Sequence, residues 1–176
     1  RLELPAAFQF VAAMNPCPCG YHGDPERECR CRPRHVARYC GRISGPLLDR
    51  IDLQVEVPPV SREELESEAP SECSAIVAAR VAAARARQVQ RQGHANARLA
   101  GVRVLQESRL EPPARVLLSS AMHRLALSAR ASHRVLRVAR TIADLAQCDT
   151  VRRDHVAEAV SFRNLDRRIG GTPISA

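Results

Sequence analysis

Two closely spaced pairs of cysteines near the start of the chain limit its folding more than any other feature. Cys17 and Cys19 precede a turn-rich polar loop, and Cys29 and Cys31 follow that loop. A short segment rich in glycine, proline and charge has no apolar core of its own, so it needs another stabilising link. We expect a cytosolic protein, in which cysteines stay reduced and disulfides are rare. The segment is therefore either held by a metal ion or left as a loop of reduced thiols.

Zinc is the metal that this cysteine pattern favours. Thiolates are the soft ligands of tetrahedral zinc sites, and a four-cysteine site requires two such pairs to come together. Four thiolates leave no open coordination position, so the predicted zinc is structural rather than catalytic. The Cys-x-Cys spacing is less common than Cys-x-x-Cys, which keeps the metal-free alternative open. Further possible ligands are Cys40, His22 and His35.

The segments that flank the cysteines predict two short strands and two candidate phosphate contacts. The apolar run 8–14 predicts a buried strand that ends at Asn15, because Pro16 cannot donate to a sheet. Alternation of apolar and polar residues over 51–57 predicts a second strand, which Arg50 precedes. An asparagine amide can orient a water beside a phosphate, and an arginine can stabilise charge on a transferred phosphoryl group. The alternatives are an ordinary Asn-Pro turn and a surface Asp-Arg ion pair.

The rest of the chain has the apolar periodicity of helices. A long helix is predicted from Glu72 to about Gln92, with Ser71 as its cap and Gly93 as its stop. Its predicted apolar stripe consists of Ile76, Val77, Val81, Ala84 and Val89. A short helical piece is predicted over 94–100, and three further helices are predicted to begin near Pro112, Ser128 and Thr150.

The charge of the chain is carried by one residue type. All 27 basic residues are arginine, and the formal net charge is +8. The phosphate-binding P-loop requires a lysine, so this sequence contains no P-loop. Excess positive charge favours nucleic acid or nucleotide phosphate as a partner, but a solvated arginine-rich surface explains it equally well. With 3% aromatic residues and no tryptophan, a base-stacking platform for single strands is not expected.

Two expectations concern the setting of the chain. No apolar run approaches the roughly 18 residues of a transmembrane helix, so we expect a soluble, cytoplasmic protein without a membrane partner. The chain begins at Arg1 rather than at a methionine. We therefore expect a piece of a longer protein.

Four segments carry a specific combination of motifs. They are residues 13–20 (AMNPCPCG), 42–53 (RISGPLLDRIDL), 127–131 (LSARA) and 138–145 (VARTIADL). Taken in this order, they closely resemble the magnesium-chelatase-like AAA+ ATPases of the ComM/YifB branch. The resemblance extends from Phe8 to about Arg163.

The resemblance implies the C-terminal part of an AAA+ ATPase core followed by a helical lid bundle. The expected fold class is mainly α with a small α/β portion. The end of the core, with a cysteine-rich insertion, is expected at residues 1–60, and a linker is expected at 61–70. The lid is expected at 71–165, and a basic tail is expected at 166–176. The P-loop and the magnesium-binding acidic motif would lie upstream.

The resemblance also implies a function, which is that of a hexameric ATP-driven DNA motor. In the ComM branch such a motor is a helicase that promotes branch migration during recombination in natural transformation. Asn15 would be sensor 1 beside the γ-phosphate, and Arg50 would be the arginine finger that reaches the neighbouring subunit's site. Arg130 would be sensor 2, with Arg134 as the second candidate. ATP and Mg²⁺ would be the cofactors, and branched or single-stranded DNA would be the partner. The cysteine insertion is typical of this branch and supports bound Zn²⁺.

Two alternatives stay open from the sequence. One is a zinc-stapled module that binds nucleic acid through its arginines without catalysis, and the other is an ATPase of the metal-chelatase type. In each case this chain by itself is not expected to hydrolyse ATP, because it lacks a P-loop.

Overall fold

A computed structural model of the protein describes residues 8–66 and 72–163. The chain divides into two compact units, Arg1–Ser44 and Gly45–Ala176. The helices of the described residues are α1 Pro33–Cys40, α2 Gly45–Leu48, α3 Arg62–Glu66, α4 Ser74–Gln92, α5 Val102–Ser108, α6 Pro112–Arg124, α7 Ala129–Leu145 and α8 Arg153–Ser161, with a 3₁₀ turn at Asn96–Arg98. The predicted mainly α fold class is confirmed.

The first unit consists of the cysteine loops and helix α1. Pro33 occupies the first turn of α1, where its fixed φ angle suits a helix and its missing N–H is not needed. The helix ends at Gly41, whose N–H donates to the carbonyl of Ala37. No residue of α1 is buried, so the packing of this helix does not provide an apolar core.

The second unit is a bundle in which α7 packs against α4, α5 and α8, and α6 packs against α8. Its core consists of Leu99, Val104, Ala114, Leu118, Val135, Leu136, Ala139, Ala143, Val151, Val156 and Ala159. Three predicted end signals are confirmed. Gly93 ends α4 with φ of 80°, Pro112 begins α6, and the Ser128 hydroxyl caps α7 by accepting from the N–H of Ala131.

The two predicted strands are not formed. Residues 8–14 and 51–57 carry no strand assignment, and Phe8, Val11 and Val57 are largely exposed. A strand requires a ladder of backbone hydrogen bonds with a neighbour, and the described residues form no such ladder with these segments, although Gln54 N donates to Phe162 O. The β pairing found among the described residues is one isolated parallel bridge between Leu110 and Val151.

Helices α1 and α5 were not predicted, and two details of the predicted helices differ from expectation. Helix α4 buries Ala84 and Gln88, whereas Ile76, Val81 and Val89 of the predicted stripe are exposed. The polar network that α4 joins, described below, determines which face turns inward. Helix α8 begins three residues after the predicted start, because the Thr150 hydroxyl donates to the Glu111 carboxylate instead of capping the helix, and Arg152 becomes the N-cap.

None of the helices in the described ranges is long and apolar enough to cross a bilayer. The predicted division at 61–70 stays a prediction. Helix α3 lies within that predicted linker, and the predicted cap Ser71 and the tail from 166 onward lie outside the described residues.

Candidate metal centre and arginine cluster

The four predicted metal ligands lie together in the first unit. The sulfurs of Cys17, Cys19, Cys29 and Cys31 are all within 4.8 Å of one another. Cys17 Sγ lies 3.3 Å from Cys19 Sγ and 3.7 Å from Cys29 Sγ, and Cys19 Sγ lies 3.7 Å from Cys29 Sγ. Cys17 is completely buried, although it lies in a segment without an apolar core.

These distances fit a tetrahedral zinc site. With Zn–S bonds of about 2.3 Å, the sulfurs of a regular tetrahedron lie about 3.8 Å apart. The loop between Cys17 and Cys19 closes with a hydrogen bond from Gly20 N to Cys17 O, and Gly20 has φ of 87°, a conformation that favours glycine. The four cysteines are therefore close enough together to hold a metal ion.

The thiols also differ in acidity, as expected for sulfurs that share one small space. The Tyr21 N–H and a hydrogen bond with Cys17 lower the pKa of Cys19 to about 6. A hydrogen bond from the Cys19 N–H lowers the pKa of Cys31, but the Cys19 side chain, burial and Cys17 together outweigh it and raise the value to about 12. The Cys19 thiol therefore loses its proton more readily than the Cys31 thiol. Adjacent thiolates repel one another unless a cation neutralises their charge.

The three spare ligands do not join this cluster. Among the described residues the cluster contains the four cysteines, and Cys40 lies apart from it with its thiol donating to Pro16 O at 3.7 Å. His22 and His35 are exposed and are not part of the cluster either. A site of four cysteines is complete without them.

Asn15 belongs to the same unit as the cysteines. It is exposed, it precedes the first cysteine pair, and its amide nitrogen lies 4.0 Å from the position that a Cβ on Gly20 would take. Its side chain is therefore close to the turn that carries Cys17 and Cys19. Its predicted role at a phosphate stays a prediction.

Arg50 belongs to the second unit and follows the short helix α2. Leu48 is buried and anchors this helix, while Arg50 is exposed. The Arg50 guanidinium turns back and donates from Nη1 to Pro46 O at 2.7 Å. The side chain is thus held over the end of its own helix, with its charge accessible to solvent.

Arg134 lies beside Arg50, whereas Arg130 does not take part in this cluster. Arg134 Nη1 donates to Arg50 O at 2.6 Å and to Asp52 Oδ1 at 2.8 Å. Arg130 lies in the first turn of α7 and is exposed, and its side chain forms no hydrogen bond or ion pair with any residue that the structure describes. The guanidinium of Arg134 thus binds described residues whereas that of Arg130 does not, and the assignment of sensor 2 stays a prediction.

A second polar cluster, which the sequence analysis did not predict, lies inside the bundle around Asp144. Asp144 accepts hydrogen bonds from Arg91 at 2.6 and 2.9 Å, from Arg140 at 3.0 Å and from Asn96 at 2.9 Å. Burial alone would raise the pKa of Asp144, but the bonds from Arg91 and Asn96 and the charge of Arg140 hold it below its ordinary value. Burial lowers the pKa of Arg140. The feature of the sequence that could have predicted this cluster is the helical spacing of Arg140 and Asp144.

Asp52 is the other residue that sequence reasoning missed. Besides Arg134, it accepts from Arg137 Nη2 at 3.2 Å. The feature of the sequence that could have identified Asp52 is its position two residues after Arg50. That position lies at the start of an alternating segment that was interpreted as a strand. Nothing in the sequence alone showed that two arginines from positions more than eighty residues later would meet it.

Known protein families match nearly all of the chain. Residues 1–65 match the family model for magnesium chelatase, subunit ChlI, and residues 71–163 match the model for the ChlI C-terminal part. The uncharacterised protein YifB of Escherichia coli strain K12 is 46% identical over 169 residues, and the competence protein ComM of Haemophilus influenzae is 39% identical over 168 residues. An uncharacterised protein of Mycobacterium tuberculosis strain H37Rv is 41% identical over 168 residues.

Each alignment covers most of this chain but a smaller part of the relative. YifB and ComM are matched over 95% of the chain and the mycobacterial protein over 93%, and in each case this is 33% of the relative's length. The chain thus spans about a third of the length of the curated relatives it matches. With two consecutive family models matching from residue 1 to 163, the chain belongs to the magnesium chelatase ChlI family of AAA+ proteins, alongside YifB and ComM.

Proposed function

We propose that this chain is the C-terminal part of a ring-forming, ATP-driven DNA motor of the ComM type. The observation that supports this most directly is the match to both consecutive ChlI models, together with 39% identity to competence protein ComM. The motor would be a hexamer in the cytoplasm that moves branched or single-stranded DNA and promotes branch migration during recombination in natural transformation. The P-loop and the acidic motif that hold ATP and Mg²⁺ would lie outside this chain.

In this proposal Arg50 is the arginine finger and Arg130 is sensor 2. A finger must be exposed so that it can reach a nucleotide held by a neighbouring subunit, and it must be fixed so that its charge is in place when the phosphoryl group is transferred. Arg50 is exposed and its guanidinium is held at Pro46 O. Asn15 would orient the attacking water as sensor 1.

The finger assignment is tested with Arg50→Ala in the full-length protein. Removal of an arginine finger lowers ATP turnover by about 10³-fold or more, because the charge that it stabilises develops in the transition state. ATP binding, measured by equilibrium titration, should change little. Exposed Arg80, which pairs with Glu72 at 2.8 Å, provides the matched control, and Arg80→Ala should leave turnover unchanged. Loss of ATP binding, or full turnover by Arg50→Ala, would remove the assignment.

The metal in this proposal is structural Zn²⁺, held by Cys17, Cys19, Cys29 and Cys31. Their spacing fits the ion, and the four thiolates would complete its coordination. Zinc at this site would fix the two cysteine loops, and through Gly20 the position of Asn15. It would take no part in the reaction itself.

A second candidate function is nucleic-acid binding by the first unit without catalysis. Five exposed arginines of that unit form no ion pair or side-chain hydrogen bond with the described residues: Arg30, Arg32, Arg34, Arg38 and Arg42. Arg34 and Arg38 lie one turn apart on α1, so they project from a shared face. This arrangement suits the phosphates of a nucleic-acid backbone.

Salt dependence distinguishes the two candidates. If the five arginines neutralise duplex phosphates, the slope of log K against log salt for this chain is about −4 to −5, and Arg34→Gln with Arg38→Gln reduces it by about 2. Arg80→Gln is the control. A steep slope without any DNA-stimulated ATP turnover by the full-length protein favours the binding module, whereas turnover that ignores DNA favours a chelatase-type ATPase.

A further inference from the structure

The segment that carries Arg50 is attached to the helical bundle by three arginines. Arg134 donates to Arg50 O and to Asp52 Oδ1, and Arg137 donates to Asp52 Oδ1 from α7. Arg163 donates to Ile51 O at 2.9 Å. In addition, Gln54 N donates to Phe162 O at 2.9 Å. Every residue from Arg50 to Asp52 is therefore held by an arginine of the bundle.

Asp52 is the residue on which two of these arginines meet. The carboxylate of Asp52 is about half exposed, while the side chains of Arg134 and Arg137 are 14% and 21% exposed. Two guanidinium groups in contact with a single carboxylate oxygen would repel each other without it. Asp52 thus allows both arginines to face the Arg50 turn.

We infer that Asp52 and Arg134 are positioning residues for Arg50, an inference that rests on the proposed role of Arg50 as the arginine finger. Because the backbone of Arg50 is bonded to α7, the finger moves with the helical bundle. A movement of the bundle that follows nucleotide state would therefore shift the finger directly. Positioning errors of about 1 Å can lower a rate by about 100-fold, so a small displacement is enough to matter.

The test is a double-mutant cycle in the full-length protein, measured as single-turnover ATP hydrolysis with enzyme in excess. Asp52→Ala should lower the maximal single-turnover rate by about 10- to 100-fold, with the enzyme concentration that gives half of this rate changed by less than about twofold. In the Arg50→Ala background the same substitution should have no further effect, because it acts through Arg50. Asp52→Asn keeps an oxygen that can accept from Arg134, so its loss should be smaller than that of Asp52→Ala.

Glu72→Ala is the matched control, since it removes an arginine–carboxylate contact of the same 2.8 Å length elsewhere in this unit. An equal loss from Asp52→Ala in both backgrounds would overturn the inference, because it would show a general structural role. The inference would also be overturned if Asp52→Ala left ATP turnover unchanged while Arg50→Ala abolished it. If Arg50→Ala itself keeps full turnover, the proposed function of Arg50 is what fails. Should Asp52→Ala fail to fold, the same cycle with Asp52→Asn decides the question.

Discussion

Arg140 and Asp144, whose side chains are both fully buried, form an ion pair at 3.0 Å one turn apart on α7. Arg140 also donates to Asp149 O at 2.8 Å and to Cys148 O, which ties the end of α7 to the following turn. Asp144 reaches α4 through Arg91. This pair therefore joins α7 to α4 and to the loop before α8.

Asp144→Asn should strongly destabilise the bundle. The substitution leaves the buried guanidinium of Arg140 without its countercharge, and breaking a buried pair in this way destabilises by about 3–5 kcal/mol. Denaturant unfolding of this chain measures the effect. Asp149→Asn is the control, since Asp149 pairs with Arg87 at 2.6 Å while its side chain is 84% exposed, and such a pair contributes about 1 kcal/mol or less. Equal effects of the two substitutions would contradict this account.

The same carboxylate predicts a dependence of stability on pH. The pKa of Asp144 is lower in the folded protein than in the unfolded chain, so the unfolded chain takes up the proton first as the pH falls. The contribution of Asp144 is complete above the unfolded pKa of about 3.9 and is lost as the pH falls through the folded value. Unfolding free energy measured between pH 5 and pH 2 should show this loss, and Asp144→Asn should reduce its size. If Asp144→Asn loses as much unfolding free energy over this pH range as the unmodified chain, Asp144 is not the group responsible for the loss.

Zinc content provides a third prediction. This chain, purified without chelators, should contain about one equivalent of zinc by elemental analysis, because the four sulfurs lie within 4.8 Å of one another and four thiolates complete a structural zinc site. Cys17→Ser should abolish tight binding, whereas Cys73→Ser, at the exposed N-cap of α4, should have no effect. Cys40→Ser should also retain the metal. Less than about half an equivalent in the unmodified chain would count against the site.

Gly20→Ala should weaken metal binding without altering any ligand. With φ of 87°, Gly20 lies in a left-handed conformation, where a side chain is unfavourable by about 1–2 kcal/mol. Zinc affinity, measured by competition with a chelator, should therefore fall by about five- to thirtyfold. Gly45→Ala is the control, because Gly45 has no positive φ and a Cβ there has no neighbour within 4 Å. Unchanged affinity in Gly20→Ala would show that this turn does not support the site.

The ends of the longer helices could be predicted from sequence because their signals are local, whereas α1 and α5 were not predicted. Gly93, Pro112 and Ser128 end or begin helices through their own backbone angles and hydrogen bonds, and these act within one turn. The cysteine cluster was predictable for a similar reason, since both pairs lie within one short loop. Local chemistry was sufficient in each case.

The remaining features depend on contacts between distant parts of the chain. The segments 8–14 and 51–57 have the composition of strands but form no backbone ladder with another described segment. Helix α4 turns Gln88 inward because Gln88 accepts from Asn96 N, a member of the Asp144 cluster. The contacts of Asp52 could be recognised only from the structure, because two arginines of α7 reach it from a distant part of the chain. No periodicity in the sequence could reveal these partners.

Branch migration of a four-way DNA junction by the full-length protein is the most direct test of the proposed motor. With ATP present, the protein should convert the junction to its separated products, and no conversion should occur without ATP or in the Arg50→Ala variant. A full-length protein that binds the junction and hydrolyses ATP yet leaves the junction intact would contradict the account.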